Sequence, residues 1–195
     1  QSHVLKYKYG MNPLTVTWAP HLYTDWGRRN HQRWIDSGFD NYLMTPNSRV
    51  HRLLTRIAVE KLFHPFQPFM IGQKFLAPKI ASLFDIPLIF YGENEAEYGN
   101  PSADNNISQR SKKYFATDDI NQISISGIPI QSLIEDFGLS LNDLDPYLPI
   151  DPSILEQKSI EVHYLGYFLK WHPQSAYYYA CEHGNFEASP ERTAG

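Results

Sequence analysis

The feature of this sequence best suited to chemistry is an apolar run that breaks abruptly into acidic residues. Residues 87–91 are Pro, Leu, Ile, Phe and Tyr, and Gly92, Glu93 and Asn94 follow them directly, ahead of Glu97. A short apolar run between a proline and a glycine is typical of a strand buried inside a parallel sheet. Because ligands of such sheets bind beyond the carboxyl ends of the strands, we expect these polar residues to lie at a functional site.

A pair of arginines supplies positive charge that the same edge of the sheet could use. Arg49 and Arg52 begin a helix predicted over residues 49–63, directly after a strand predicted over residues 39–45. The free N–H groups and the dipole at a helix start favour an anion, so these two arginines are candidates for phosphate or pyrophosphate contact. The alternative is that they form a solvent-exposed stripe with Arg56.

Mg²⁺ in a phosphate site is bound by one or two carboxylates together with the phosphates. Carboxylates that lie near a phosphate-binding helix start would meet this requirement. The acidic residues Glu95 and Glu97 beyond the predicted strand are therefore candidates for binding Mg²⁺ with phosphates, and the alternative is a solvent-exposed acidic loop. The eight histidines have no spacing typical of a metal site. The sequence contains neither a nucleophile elbow nor a glycine-lysine-serine phosphate loop. A nucleotide site therefore cannot be derived from a motif within these residues.

Composition and charge argue against several classes of function. The 195 residues carry a formal charge of -4 with a pI near 6.0, so no bulk electrostatic attraction to nucleic acid or an anionic membrane is expected. No apolar run approaches the ~20 residues that span a bilayer, and we expect no membrane insertion. The single cysteine, Cys181, excludes an internal disulfide and fits a reducing compartment. We therefore expect a soluble, cytoplasmic protein.

The elements that would position the candidate residues alternate between helix and strand. Hydrophobic periodicity predicts strands over residues 14–18, 39–45 and 87–91, and helices over residues 1–9, 26–37, 49–63 and 70–84. This order is that of an α/β fold with a doubly wound, mainly parallel sheet. Because a helix that feeds a parallel sheet normally follows a strand of its own, we expect an earlier strand ahead of Gln1.

Local signals predict where these helices begin and where one of them is disturbed. Asp25 is the predicted cap of the second helix, and Asn47 or Ser48 is the predicted cap of the third. Pro78 lies inside the pattern of the fourth helix and is predicted to kink or split it.

The second half of the chain is less regular. Residues 101–113 are polar and indicate a surface excursion, and residues 118–149 are predicted to form a small helical insertion on the rim of the sheet. A strand is predicted over residues 160–171, followed by a helix that starts at Pro173. Residues 1–100 are predicted to form an α/β core. Residues 101–150 are predicted to form a surface excursion with a helical insertion. Residues 151–195 are predicted to return to the sheet as a C-terminal substrate segment. Both ends are expected to continue.

Several blocks, which together span nearly the whole chain, resemble the N-acetyl sugar amidotransferases of bacterial surface-polysaccharide and flagellar-glycan synthesis. The most specific block is residues 92–99, which read Gly-Glu-Asn-Glu-Ala-Glu-Tyr-Gly within a longer match over residues 86–100. The other blocks are residues 9–18, 45–47, 50–52, 72–73, 163–173 and 191–193.

The resemblance implies the fold of the ATP pyrophosphatase, or PP-loop, superfamily for residues 1–100, an adenine nucleotide α-hydrolase-like domain. In this family a phosphate loop that reads Ser-Gly-Gly-Lys-Asp-Ser follows the first strand. This strand and its loop would correspond to sequence just before Gln1. Family members also tend to carry a cysteine-rich segment further upstream.

The resemblance also implies a reaction, the ATP-dependent conversion of a sugar N-acetyl group into an acetamidino group for lipopolysaccharide O-antigen or flagellar glycan. The acetamido oxygen would attack the α-phosphorus, pyrophosphate would leave, and ammonia would displace AMP from the O-adenylated intermediate. Mg²⁺ and cationic side chains would offset the charge of the departing pyrophosphate. The implied partners are a glutaminase subunit that supplies ammonia and a sugar or nucleotide-sugar substrate.

Three groups of site residues follow from the resemblance. The catalytic group is Glu93, Asn94 and Glu97, in which Glu97 would be the base for ammonia and Glu93 the possible Mg²⁺ ligand. The ATP-binding group, which would border adenine and let the chain approach the nucleotide, is Thr17, Trp18 and Gly92. The residues that would hold substrate or phosphate are Arg49, His51, Arg52, Tyr98, Glu187 and Arg192.

Two other functions remain open at the level of sequence. A non-catalytic sugar or nucleotide-sugar binding module, or an inactive fragment, would explain the many aromatic residues and the missing phosphate loop. A related enzyme that activates a tRNA base for sulfur transfer would need catalytic cysteines and a basic face, and neither is evident in the sequence.

Overall fold

A computed structural model describes residues 1–92, 107–170 and 172–190. The α-helices in these ranges are α1 (Ser2–Tyr7), α2 (Asp25–Asp36), α3 (Ser48–Leu62), α4 (Gln67–Leu83), α5 (Ile130–Phe137), α6 (Leu141–Leu144), α7 (Pro152–Gln157) and α8 (Pro173–Gly184). The strands are β1 (Thr15–Trp18), β2 (Asn41–Met44), β3 (Leu88–Tyr91), β4 (Ser124–Ile125), β5 (Ile128–Pro129) and β6 (Glu161–Tyr164). The chain is therefore a mixed α/β structure.

The described strands form three separate pairs. β1 lies parallel to β2, with Trp18 opposite Met44, and β3 lies parallel to β6, with Tyr91 opposite Tyr164. β4 and β5 form a small antiparallel hairpin. Parallel pairs joined through helices agree with the predicted α/β class, but within these residues the two parallel pairs are not hydrogen-bonded to each other.

Local capping explains most helix boundaries. Asn47 accepts a hydrogen bond from the backbone N–H of Arg49 and caps α3, as predicted. The cap of α2 is Thr24, whose hydroxyl accepts from the N–H of Gly27, so the prediction of Asp25 was wrong by one residue. Ser140 and Asp143 form a capping box at α6.

Helix α4 continues through Pro78, so the predicted split does not occur. Proline has no N–H to donate to the carbonyl four residues earlier, which here is that of Lys74. The hydroxyl of Tyr91 on β3 donates to this carbonyl over 2.6 Å. A side chain from the neighbouring strand thus satisfies the oxygen that Pro78 leaves without its helical partner.

Two clusters of buried side chains form the core. The first joins Trp18 of β1 and Leu54 of α3 to Ile80 of α4, together with Leu133 of α5 and Tyr147. The helical insertion therefore packs directly against β1 and α3, a packing that the sequence did not specify. The second cluster lies under β3 and β6 and includes Ile89, Phe115, Leu155, Ile160 and Val162.

The end of the polar excursion returns to the sheet. Gln109 forms an antiparallel bridge with His163 on the outer side of β6, and the N–H of Arg110 donates to the carbonyl of Val162. The strand itself is shorter than predicted, because a 3₁₀ turn at Leu165–Tyr167 follows β6 directly. No helix in the described ranges is long and apolar enough to cross a bilayer.

Candidate functional site

The candidate site comprises the carboxyl ends of the parallel pair β1 and β2 and of β3, where residues of β1 and β3 line one cavity. The parallel register places Trp18 and Met44 side by side at this edge, and the chain turns from Met44 through Asn47 into α3. β3 ends at Tyr91, with Gly92 next. Trp18, the start of α3 and Gly92 thus each lie at or directly beyond the carboxyl end of a parallel strand.

The start of α3 presents two arginines to solvent. Arg49 and Arg52 both lie in its first turns and are exposed. The first turn contains no acidic residue, and among the described residues neither arginine has an ion-pair partner. Arg56, one turn further on, pairs instead with Glu60 at 3.7 Å. The geometry at Arg49 and Arg52 fits anion binding at a helix start.

His51, between these arginines, turns inward rather than toward solvent. Its Nδ1 lies 2.8 Å from the hydroxyl oxygen of Tyr147, and its Nε2 lies 3.3 Å from Nδ1 of His21. The ring also lies parallel to that of Tyr147, and the ring of Trp18 meets Tyr147 edge-on. We call His21, His51 and Tyr147 the histidine cluster. Since Tyr147 is 96 residues from His51, no local signal in the sequence pointed to this cluster.

The cluster keeps His51 uncharged at neutral pH. Burial, with a smaller contribution from the charge of His21, lowers the pKa of His51 from 6.5 to about 4. Burial also raises the pKa of Tyr147, so this side chain keeps its proton. Both ring nitrogens of His51 are hydrogen-bonded within the cluster, and a neutral imidazole adds no positive charge for a phosphate.

The three predicted ATP-binding residues line one cavity of about 960 Å³ between β1 and β3. Thr17 is half-buried, and its hydroxyl accepts a hydrogen bond from Asn41. The indole of Trp18 is only 4% exposed, and its Nε1 has no hydrogen-bond partner within the described part of the chain. The carbonyl oxygen of Gly92 accepts from the side chain of Gln1 at 2.8 Å.

All three predicted catalytic residues, Glu93, Asn94 and Glu97, lie outside the described residues. The same is true of Tyr98 and Arg192 from the predicted substrate group. In the ranges that the structure describes, no group of three His, Cys, Asp or Glu side chains could hold a metal ion.

Glu187 is described, and it is held against α2. Its carboxylate lies 3.0 Å from the guanidinium of Arg33, and its backbone exchanges two hydrogen bonds with the side chain of Asn30. The hydrogen bond from Arg33 holds the pKa of Glu187 below its ordinary value. The structure brings Glu187 to α2 and not to the arginines of α3.

No protein-family model matches this chain, and no curated protein sequence matches it.

A second cavity, which we call the aromatic pocket, lies between α1, α2 and α8 and has a volume of about 520 Å³. Trp34 and Phe39 stack in its wall at 4.4 Å, and His3 hydrogen-bonds to the hydroxyl of Tyr179 over 2.6 Å. Among the described residues, its lining contains lysines and histidines but no carboxylate. Sequence reasoning missed this pocket, although Tyr179 and His183 are spaced four apart on α8 and so share one face.

Proposed function

We propose that this chain forms the ATP-binding part of an N-acetyl sugar amidotransferase that acts in the cytoplasm. The enzyme would convert the acetamido group of a sugar into an acetamidino group, with formation of AMP and pyrophosphate. In this proposal the parallel pairs belong to one doubly wound sheet, and a glutaminase subunit supplies the ammonia.

One observation carries the proposal: the residues by which the sequence resembles this family follow a parallel strand at its carboxyl end. Residues 92–99 begin directly after β3, at an edge where nucleotides bind in open α/β sheets. The exposed Arg49 and Arg52 at the start of α3 add a place for phosphate near the ends of β1 and β2. Both features support an adenylation site.

The proposed chemistry makes the amide reactive through a better leaving group. The acetamido oxygen bonds to the α-phosphorus of ATP as the bond to pyrophosphate breaks. Ammonia then adds to the imidate carbon, loses one proton to Glu97 and a second to solvent, and expels AMP, so that an NH group replaces the acetyl oxygen. Arg49 and Arg52 would stabilise the pyrophosphate, while Glu93 would hold Mg²⁺, whose charge would favour the same step.

A turnover assay tests this function. The full-length protein is incubated with ATP, Mg²⁺, ammonium and a panel of nucleotide-linked N-acetyl sugars. We expect AMP and pyrophosphate only when a sugar and ammonium are both present, and a sugar product in which NH replaces the acetyl oxygen. Glu93→Ala should lose this activity, whereas Glu156→Ala, a change at an exposed position on α7, should keep it. Full activity of Glu93→Ala would refute the assignment of Glu93.

The aromatic pocket favours a second candidate, a sugar-binding module without catalysis. Aromatic walls bind the apolar faces of sugars, and 520 Å³ suits a ligand of that size. Titration of UDP-N-acetylglucosamine separates the two candidates. Binding that is lost in Trp34→Ala, in the absence of any AMP formation, would favour the module.

A further inference from the structure

The corner between α3 and α4 exposes a large apolar surface. Its side chains come from the end of α3, the start of α4 and the loop that precedes α2. They are exposed by 41% to 91%, and they are Leu22, Val59, Leu62, Phe63, Phe66 and Met70. We call these six residues the corner patch.

The residues of the corner patch lie next to one another. On α3 they are three and four positions apart, so they share one side of the helix. Two residues separate Phe63 from Phe66 in the connection to α4. The ring of Phe66 lies 5.4 Å from the ring of His21, which is the chain neighbour of Leu22. The patch is therefore one continuous surface.

Phe63 is the most exposed residue of the patch, and its backbone is in an unfavourable conformation. It ends α3 in the left-handed region, with a φ of 53°. Glycine usually occupies this position at a helix end, because a Cβ atom is crowded there. The residue is 91% exposed, so packing within one chain does not offset the unfavourable backbone. Contact with another molecule would offset it.

The corner patch is large enough for a stable interface between two protein chains. A large apolar side chain has about 150–250 Å² of surface, so the exposed fractions of the six residues correspond to roughly 600–900 Å². The largest apolar patch of a typical monomer covers about 300–600 Å². A standard interface covers about 800 Å² on each partner. The patch therefore has the area that one side of a dimer needs.

The charges beside the corner patch favour a second copy of the chain as the partner. Arg56 and Glu60, in the last two turns of α3, form an ion pair over 3.7 Å. Within the described residues, this leaves Lys61 as the charge that the end of α3 adds to the rim. A strongly charged partner would find little complementary charge here. An apolar surface with a nearly neutral rim can instead meet its own copy without strong repulsion.

We propose that the protein forms a homodimer through the corner patch. The interface is isologous, so the patch of one copy lies on the same patch of the other, related by a two-fold axis. The ring of Phe63 packs against the start of α4 in the second copy, and symmetry repeats this contact. Dimerisation removes the apolar surface of both patches from water. This proposal does not depend on the proposed function.

The molar mass of the full-length protein tests the dimer directly. Interfaces of this size have dissociation constants from the micromolar range downward, so light scattering after gel filtration is measured between about 1 and about 100 μM. We expect the mass of two chains at the upper end of this range. The mass of one chain at every concentration would overturn the proposal. A mass that rises beyond two chains would also overturn it, because an isologous interface closes at the dimer.

Phe63→Gly separates a role in dimerisation from a role in folding. Because the ring occurs twice in an isologous interface, we expect the Kd of the dimer to rise at least about a hundredfold. The denaturant midpoint of the monomer should stay the same or rise, because glycine adopts the left-handed conformation freely. An unchanged Kd would overturn the proposal. A lower midpoint would also overturn it, because the ring would then support the fold of a single chain.

Ser159→Gly is the matched control for the backbone. Ser159 is exposed, lies outside the corner patch and has the same left-handed conformation, with a φ of 51°. This variant should keep the Kd of the original protein. Dissociation of the dimer by both glycine variants would place the effect outside the patch and overturn the proposal.

A second matched pair tests where the interface lies. Leu22 is 85% exposed within the corner patch, and Leu83 is 72% exposed at the opposite end of α4. Leu22→Asp would bury an unpaired carboxylate in the dimer, and we expect it to raise the Kd at least about a hundredfold. Leu83→Asp should leave the Kd within about twofold of the original. Equal effects of the two variants, or a larger effect of Leu83→Asp, would overturn the proposal.

Discussion

Nδ1 of His51 lies 2.8 Å from the hydroxyl oxygen of Tyr147, a contact that ties the start of α3 to the 3₁₀ turn Asp145–Tyr147. This contact joins a predicted site residue to the helical insertion. Burial of His51, with a smaller contribution from the charge of His21, lowers its pKa from 6.5 to about 4. The stability of the protein therefore depends on pH.

Replacing His51 should weaken that pH dependence. Between about pH 6.5 and pH 4 the unfolded chain binds a proton at His51 that the folded protein does not bind, so stability falls as pH falls. We expect this one histidine to contribute about 1–3 kcal/mol of that loss, after allowance for its partial exposure. In denaturant titrations at pH 7 and pH 4, His51→Gln should lose less stability than the original protein by that amount.

His64→Gln serves as the control for this experiment, since His64 is exposed and outside the histidine cluster. It should leave the pH dependence unchanged. If His51→Gln and the original protein lost the same stability between pH 7 and pH 4, the buried neutral state of His51 would be contradicted.

Gly72 should not tolerate a side chain while Trp18 is present. A Cβ atom at Gly72 would lie 2.5 Å from carbon atoms of the Trp18 indole ring. Although alanine is normally favoured over glycine inside a helix, we expect Gly72→Ala to cost about 1–3 kcal/mol of unfolding free energy through overpacking. The change should cost less when Trp18→Phe is also present, because the smaller ring leaves room.

Gly184→Ala is the matched control, because a Cβ atom there meets nothing within 4 Å. Its effect should stay within about 0.5 kcal/mol. A stabilising Gly72→Ala, measured by the same denaturant titration, would contradict the packing of Trp18 against α4.

The helical insertion should unfold together with the α/β core. Leu133 of α5 is fully buried in the cluster that contains Trp18 and Leu54, so Leu133→Ala should cost about 2–5 kcal/mol. Leu141 on α6 is 47% exposed, and Leu141→Ala should cost less than about 1 kcal/mol. Thermal unfolding followed by circular dichroism measures both. Near-equal costs would indicate an insertion that is not part of the core.

The first part of the fold could be predicted because its signals are local. The β-branched residues of β1 and the cap at Asn47 act within a few residues of themselves. The continuity of α4 through Pro78 could not be predicted, because it depends on the hydroxyl of Tyr91 from a strand later in the chain. The contact between His51 and Tyr147 escaped prediction for the same reason.

The site was predicted less completely than the fold. Periodicity and strand order predicted Arg49 and Arg52 in the first turns of a helix that follows a strand, and the structure has them there. Their role in binding phosphate stays a prediction. They did not indicate the aromatic pocket, because its wall combines α1, α2 and α8, which are far apart in the sequence. The spacing of residues within one helix does not predict which other helices pack against it.

The arginines at the start of α3 should contribute to ATP binding if the proposed function holds. Each charge-assisted contact to phosphate is worth about 1.5–3 kcal/mol, so Arg49→Ala should raise the KM for ATP about tenfold to a hundredfold. Arg56→Ala removes an arginine that already pairs with Glu60, and it should change the KM less than about twofold. Steady-state kinetics measures both variants. Equal effects would mean that Arg49 does not contact the nucleotide.

The measurement that tests the proposed function most directly follows one oxygen atom. An N-acetyl sugar substrate is prepared with ¹⁸O in the acetyl carbonyl group and is turned over by the full-length protein with ATP and ammonium. Because the proposed reaction joins this oxygen to the α-phosphorus before ammonia expels AMP, we predict that mass spectrometry finds the label in the phosphate of AMP. Label retained in the sugar, or found in inorganic phosphate, would contradict the amidotransferase mechanism.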